Sequence, residues 1–155
     1  DLSPSKPAYD IDEQIAKFER HAETYPTLWY MERVGGKLAM AGFANHQDHR
    51  TLLDTVYDGD EQMGEWLQKN LGDSSVVWLH ELFADRTVRP TGNLRQFEAM
   101  CTGFLHELGA STLAYCTINP RMIAAAQRSF GDQVTVYEPH TDSPDWRYVV
   151  QIDVI

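Results

Sequence analysis

The segment Val76–Ile118 constrains the fold most strongly, because it reads as a strand, a helix and a second strand in immediate succession. Val76–Ala84 is a nearly continuous apolar run that predicts a buried strand. Apolar residues then recur at helical spacing over Leu94–Leu108, and Thr112–Ile118 is another apolar run. A strand, a helix and a strand in succession are typical of the core of a sheet domain. The sequence therefore predicts a mixed α/β or α+β sheet domain.

The segments on either side of this unit add further elements. Before it the sequence predicts a helix at residues 11–25, a hairpin at 28–43 and a helical insertion at 51–71. After it the sequence predicts a helix at 121–129 and two strands at 133–138 and 147–155. Gly35-Gly36 supplies the positive φ angles of a two-residue hairpin turn, and Asn119 followed by Pro120 is an N-cap and first-turn pair. We expect one domain over residues 1–155, with residues 1–9 as a flexible arm.

Composition excludes several classes of protein. Of 155 residues, 43% are hydrophobic and 23% charged, which is typical of a globular domain. Thirteen Lys and Arg against 23 Asp and Glu give a net charge of −10, which disfavours general nucleic-acid binding. No apolar run is long enough to insert into a membrane. The two cysteines, Cys101 and Cys116, form no CxxC motif and suit a reducing compartment, and no signal peptide is visible. We therefore expect a cytoplasmic protein.

The loop between the predicted strand and the long helix carries the clearest chemical signal. Main-chain N–H groups at such a turn converge, and the helix dipole adds partial positive charge at the same point. Gly92 allows the backbone to approach a ligand closely. The sequence matches neither a Walker A loop nor a GxGxxG motif. We expect the main-chain amides between Val88 and Leu94 to form a pocket for a diphosphate.

This loop resembles the acyl-CoA loop of the GNAT superfamily of N-acetyltransferases, whose signature is Gln/Arg-x-x-Gly-x-Gly/Ala. The chain reads Arg89-Pro-Thr-Gly-Asn-Leu94 there, and Ala84–Arg89 has the family's usual length. The resemblance implies a mixed, mostly antiparallel central sheet flanked by helices, with residues 51–71 as an insertion. It also implies acetyl-CoA or another acyl-CoA as co-substrate. The cofactor-binding residues that it implies are Ala84, Arg89, Thr91, Gly92, Asn93, Leu94 and Asn119.

The chain departs from the family pattern at two positions. Leu94 replaces the small residue that lets the helix approach the cofactor closely. Many family members carry a tyrosine that protonates the departing CoA thiolate, but residues 121–131 contain none, and Gln127 lies near the expected position. These departures bear on turnover more than on fold.

The resemblance also implies a reaction, the attack of an amine on a thioester. The amine must lose a proton, so a carboxylate or a histidine near the strand end is required. His80 and Glu81 are the candidates, and strand alternation predicts that they point to opposite faces. Glu81 is the preferred base, because Glu on this strand is a frequent base in the family. The acceptor would be an amine-bearing small molecule, a protein lysine or an N-terminus.

A narrower similarity is to the toxin-activating lysine acyltransferases, a GNAT-like branch that uses an N-terminal histidine and a Trp-x-x-Asp strand. Trp78-Leu-His-Glu81 and His21 are loosely similar to these features, with Glu in place of Asp.

Other interpretations remain open. One alternative is that residues 89–94 form a capped strand-to-helix turn without a cofactor. A second is that the protein is a catalytically inactive scaffold that acts through protein–protein contacts, as a homodimer or in a larger assembly. Asn45–Arg50 is predicted to be a polar loop. His46 and His49 have the spacing of a zinc pair but lack further ligands, so no metal site is expected.

Overall fold

A computed structural model describes residues 11–48, 61–71, 75–85, 87–88, 93–138 and 148–154. The helices are α1 (Ile11–Thr24), α2 (Glu61–Leu71), α3 (Asn93–Leu108) and α4 (Pro120–Phe130). The strands are β1 (Thr27–Val34), β2 (Lys37–Asp48), β3 (Ser75–Ala84), β4 (Thr112–Thr117), β5 (Val134–Tyr137) and β6 (Tyr148–Asp153). No helix in these ranges is both long and apolar enough to cross a membrane.

The six strands form one sheet in the order β1-β2-β3-β4-β6-β5. The central pair, β3 and β4, is parallel, and the other four neighbouring pairs are antiparallel. The helix α3 is the crossover that connects the two parallel strands. The predicted fold class, a mixed and mostly antiparallel sheet flanked by helices, is confirmed.

Helices cover both faces of the sheet. On the α3 face, α3 and α4 pack on the sheet through a buried core that includes Leu79 of β3, Phe104 of α3 and Ala126 of α4. On the opposite side, the α1 face, α1 contacts β2 and α2 packs through Met63 against Trp78. Side chains on alternate positions of a strand therefore lie either on the α3 face or on the α1 face of the sheet.

The local signals in the sequence form the predicted structures. Gly35 and Gly36 have φ angles of 57° and 79°, as a turn with two positive-φ residues requires. The Asn119 side chain accepts a hydrogen bond from the Arg121 N–H at 3.0 Å and so caps α4, with Pro120 as its first residue. The hairpin and the strand-to-helix junction are thus fixed by local chemistry.

The prediction of a polar loop from residue 45 is wrong for residues 45–48, which continue β2. This strand lies between β1 and β3, and Asn45 pairs with Trp78 and Gln47 with Val76 across the ladder to β3. The Asn45 and Gln47 side chains are 0% and 2% exposed. Asn45 Nδ2 donates to Thr27 Oγ1, and Gln47 Nε2 donates to Asn45 Oδ1 at 3.4 Å. Hydrogen bonding thus lets polar residues occupy a central strand.

The predicted insertion is confirmed as a helix at Glu61–Leu71. Its first part, residues 51–60, lies outside the described residues, as do His49 and the predicted arm at residues 1–9.

Candidate functional site

The two parallel strands separate at their carboxyl ends. Within the described strands, β3 and β4 pair through Val77 with Leu113 and Trp78 with Ala114. Beyond these pairs, Leu79–Ala84 of β3 and Tyr115–Thr117 of β4 diverge, which opens the sheet between them. Because both strands run toward this opening, the segments that follow them lie at the same edge of the sheet.

A β-bulge interrupts β3 at the start of the opening. Phe43 of β2 pairs with Glu81 and its neighbour Ala44 pairs with Leu79, so His80 is an extra residue on β3. Leu79 and Leu82 both pack in the core on the α3 face, with two residues between them. The prediction that His80 and Glu81 point to opposite faces is therefore wrong: the bulge turns both side chains to the α1 face.

His80 lies in an aromatic environment on that face. Its ring centre is 6.3 Å from that of Phe18 on α1, 5.4 Å from that of Phe43 and 5.3 Å from that of His21. Its Nε2 is buried and has no hydrogen-bond partner among the described residues, and the same holds for Nδ1 of His21. Burial, followed by Coulombic interaction with His21 and Lys17, lowers the pKa of His80 to about 3. His80 is therefore a neutral imidazole at pH 7.

Lys17 brings a positive charge to the same cluster. Burial lowers its pKa, and the neighbouring carboxylate of Glu81 opposes this shift. The pKa of His21 is also lowered, first by burial and then by Lys17 and Arg20. The site thus combines a carboxylate, an ammonium and two imidazoles beside the opening.

A turn after β3 fixes the start of the predicted cofactor loop. The Asp85 N–H donates to Ala39 O at 2.8 Å, which holds the strand end. Asp85 Oδ1 accepts from both N and Oγ1 of Thr87, at 2.8 and 2.6 Å, and these hydrogen bonds lower the pKa of Asp85. The Val88 N–H donates to Asp85 O at 3.3 Å. The expectation that the Val88 amide faces a ligand is thus wrong, because this turn uses it.

The rest of the predicted cofactor loop is only partly described. Arg89, Thr91 and Gly92 lie outside the described residues. Asn93 and Leu94 form the start of α3. The first turn of α3 contains no acidic residue, and Arg95 is exposed there. This helix end is therefore electropositive, as an anion site requires.

Ala84 and Asn119 lie at the carboxyl ends of the two diverging strands, Ala84 as the last residue of β3 and Asn119 just after β4. Ala84 is the last residue of β3 and packs partly against the core. Asn119 follows β4, and its N–H donates to Thr117 Oγ1 at 3.0 Å. Because Asn119 Oδ1 already caps α4, its Nδ2 is the group that could contact a ligand. Both residues therefore lie at the edge of the sheet where the opening is.

Comparison with solved structures identifies the architecture. The apo form of an agmatine N-acetyltransferase variant superposes with a TM-score of 0.61 at 13% identity, covering 97% of this chain and 83% of that one. A polyamine N-acetyltransferase of Drosophila melanogaster gives a TM-score of 0.59 at 14% identity, covering 97% and 82%. No protein-family model and no curated protein matches the sequence.

A third structure carries the cofactor. The yncA protein of Salmonella typhimurium, assigned as an acetyltransferase and solved with acetyl-CoA, gives a TM-score of 0.50 at 15% identity, covering 96% and 76%. The chain has the GNAT fold. At such identities the likeness concerns the fold, and the activity has to be argued from the site.

Sequence reasoning missed several features of the site in this GNAT fold. It found His80 and Glu81 but not the bulge, nor the Lys17 and Phe18 side chains that α1 brings to them. The signal for the bulge is present in the sequence, since two adjacent polar residues interrupt the alternation between Leu79 and Leu82. The approach of α1 depends on tertiary packing and has no comparable signal.

Among the described residues of this fold, neither the buried thiol of Cys101 nor a cluster of potential metal ligands forms a second site. Cys101 is buried in the core, which raises the pKa of its thiol. Among the described residues, no three His, Cys, Asp or Glu side chains lie close enough together to hold a metal ion.

Proposed function

We propose that the chain is an acyl-CoA-dependent N-acyltransferase that moves an acyl group, most simply acetyl, from a CoA thioester to an amine. The observation that carries the proposal is the bulge at the start of the opening between β3 and β4. It turns two titratable side chains, His80 and Glu81, to one face beside a gap in the sheet. A plain ladder would have sent them to opposite faces.

Glu81 is the proposed proton acceptor. The amine must be deprotonated to attack the thioester carbonyl, and a positioned carboxylate can take this proton directly or through a water molecule. His80 serves this role less well, because its pKa of about 3 lies far below the pH at which a general base is most effective. The neutral His80 ring instead packs near the rings of Phe18 and Phe43 beside Glu81.

The backbone of β3 is the proposed oxyanion stabiliser. Strand N–H groups point alternately to the two neighbouring strands, and beyond Trp78 the strand β4 has turned away. N–H groups of Leu82–Ala84 on that edge can therefore face the thioester carbonyl oxygen and stabilise the charge that develops on it. The C–S bond then breaks, and the CoA thiolate leaves.

The CoA diphosphate would bind at the start of α3. The positive end of the helix dipole and the exposed Arg95 favour a negative group there. Arg89, Thr91 and Gly92 would supply further main-chain N–H groups, since Pro90 has none. Asn119 Nδ2, at the end of β4, would contact the pantetheine arm.

The acceptor is proposed to be a small amine. Agmatine and polyamines are named for two structural neighbours, which supports a small-molecule amine over a protein lysine as the acceptor. The net charge of −10 also attracts cationic amines to the protein surface.

A direct experiment tests the proposal. Acetyl-CoA should bind saturably in isothermal titration calorimetry and raise the melting temperature. With an amine present, free CoA thiol should appear in proportion to the acylated amine detected by mass spectrometry. Absence of CoA binding at millimolar concentration would overturn the proposal.

A second candidate is a GNAT-fold scaffold without turnover. The observation that favours it is the sequence of α4, PRMIAAAQRSF, which contains no acidic, cysteine or tyrosine side chain to protonate the leaving thiolate. Tyr115 on β4 is no substitute, because it is buried in the core, where burial raises its pKa. CoA binding without thiol release would establish this alternative.

A further inference from the structure

An exposed row of apolar side chains crosses three strands next to the proposed site. Met31 of β1 pairs with Ala41 of β2, and Ala41 pairs with Phe83 of β3. We call this row the apolar shelf. Met31 is 66% exposed and Phe83 is 44% exposed, although both are large hydrophobic side chains.

All three residues of the apolar shelf lie on the α1 face. Their strand neighbours settle this, because Tyr30, Met40 and Leu82 belong to or pack against the core on the α3 face. Side chains alternate along a strand, so Met31, Ala41 and Phe83 point the other way. The shelf is therefore on the same side of the sheet as His80 and Glu81.

The helix α1 covers the centre of the adjacent row and not the shelf. In that row, Trp29, Phe43 and Glu81 are paired across the same three strands. Phe18 of α1 stacks on Phe43, with ring centres 4.5 Å apart, and contacts Trp29 at 6.3 Å. Phe43 is consequently 2% exposed. Cover by α1 thus accounts for the burial of Phe43 at the centre of that row. Trp29, at the β1 end of the row, is 53% exposed, and the next row toward the carboxyl end of β3 stays open.

The shelf has the position and chemistry of an acceptor subsite. Glu81 and Phe83 are two residues apart on one face of β3, which places them about 7 Å apart. Ala41, the small residue at the centre of the row, leaves space between Met31 and Phe83 for a flat group. A ligand with an ammonium group at Glu81 and an apolar group over Ala41 would contact both the carboxylate and the apolar shelf. The negative charge of the protein favours such a cation.

We propose that the acceptor is a primary amine with an apolar group, aromatic or branched, on a short spacer, and that this group lies on the apolar shelf. The inference rests on the proposed acyltransferase function and specifies its substrate class. This acceptor class differs from a fully polar polyamine, because a polyamine has no apolar group that could contact the shelf.

Acceptor preference tests the inference. We would measure kcat/KM with acetyl-CoA for 2-phenylethylamine, ethylamine and 1,4-diaminobutane. Contact with the shelf should favour 2-phenylethylamine over the other two by at least about tenfold. Met31→Ser should lower kcat/KM for 2-phenylethylamine about tenfold and leave that for ethylamine unchanged. Phe83→Ser should lower the ratio of the two values, 2-phenylethylamine to ethylamine, about tenfold. Val34→Ser, at an exposed apolar position near the hairpin turn, is the matched control and should change neither value.

The outcomes separate this inference from the proposed function. Thiol release with every amine but no preference for 2-phenylethylamine would overturn the shelf and leave the acyltransferase intact. Absence of CoA binding would overturn both. If the Ser variants instead changed the sedimentation coefficient without altering acceptor preference, the shelf would be a contact between two copies of the chain, and the inference would be wrong.

Discussion

The two faces of β3 differ sharply over four consecutive residues. On the α3 face, Leu79 and Leu82 enter a continuous apolar core. On the α1 face, His80 and Glu81 lie side by side near Lys17 and His21, where two imidazole nitrogens are buried without a hydrogen-bond partner among the described residues. One extra residue produces this contrast. The strand thus has an apolar core on one face and titratable side chains on the other, and substitutions on each face test whether stability and turnover separate in the same way.

The largest effect is expected in the core. Phe104→Ala removes a fully buried ring of α3 and should lower the free energy of unfolding by about 3–5 kcal/mol. Urea denaturation followed by circular dichroism measures this loss. Phe83→Ala on the α1 face is the matched control and should cost about 1 kcal/mol or less, because that ring is already exposed. Equal losses from the two substitutions would remove the distinction between the faces.

The next effect is on turnover. Glu81→Gln keeps the shape of the side chain but removes the proton acceptor, so kcat should fall about 100-fold or more while the affinity for acetyl-CoA is unchanged. Steady-state kinetics and calorimetry measure the two quantities. Glu98→Gln, at an exposed position on α3, serves as the control. A Glu81→Gln variant with the kcat of the parent protein would remove Glu81 from the mechanism.

A smaller effect should appear in the pH dependence of stability. The pKa of His80 is about 3 in the folded chain and about 6.5 when unfolded, so below pH 6.5 the unfolded chain binds a proton that the folded chain does not. The free energy of unfolding therefore falls with decreasing pH, by up to about 2 kcal/mol between pH 6.5 and 5.

Denaturation of the His80→Gln variant at both pH values checks this contribution. The variant should lose less stability on acidification than the parent protein, whereas His106→Gln, at an exposed position on α3, should lose as much. Identical pH profiles for His80→Gln and the parent protein would contradict the burial of a neutral imidazole.

The smallest effect concerns a close contact between β2 and α3. A Cβ at Gly42 would lie 3.1 Å from Phe104 Cζ and 3.3 Å from Met100 Sδ, so Gly42→Ala should destabilise the chain by about 1 kcal/mol. A Cβ at Gly103, on the exposed side of α3, meets no atom within 4 Å. Gly103→Ala should therefore stabilise the helix by about 0.5–1 kcal/mol. Melting temperatures that shift in the same direction for both variants would refute the close packing.

Local chemistry explains which parts of the fold the sequence predicts. The Gly35-Gly36 turn, the Asn119 cap and the apolar run of β3 each depend on neighbouring residues, and all three predictions are confirmed. The extent of β2 was missed because Asn45 and Gln47 are polar, and their burial depends on hydrogen bonds made within the assembled sheet. Polarity alone is thus a poor guide to where a central strand ends.

The candidate site was predicted less completely than the fold. The identities of His80 and Glu81 followed from the chemistry that a resemblance implied, and their catalytic roles remain predictions. Their common face depends on a bulge that strict alternation cannot produce. Lys17, far away in sequence, joins them only because α1 packs on β2, a tertiary contact that no local pattern encodes.

The separation of β3 from β4 has a consequence for the whole domain. In the described part of the chain, the sheet consists of two three-stranded units, one from each half of the sequence, whose backbones pair at the seam through two residue pairs. A molecule lodged in the seam would touch both units and tie the halves of the chain together. Its occupancy would then add to the core on the α3 face, which already spans both halves, and would stabilise the chain as a whole rather than a single loop.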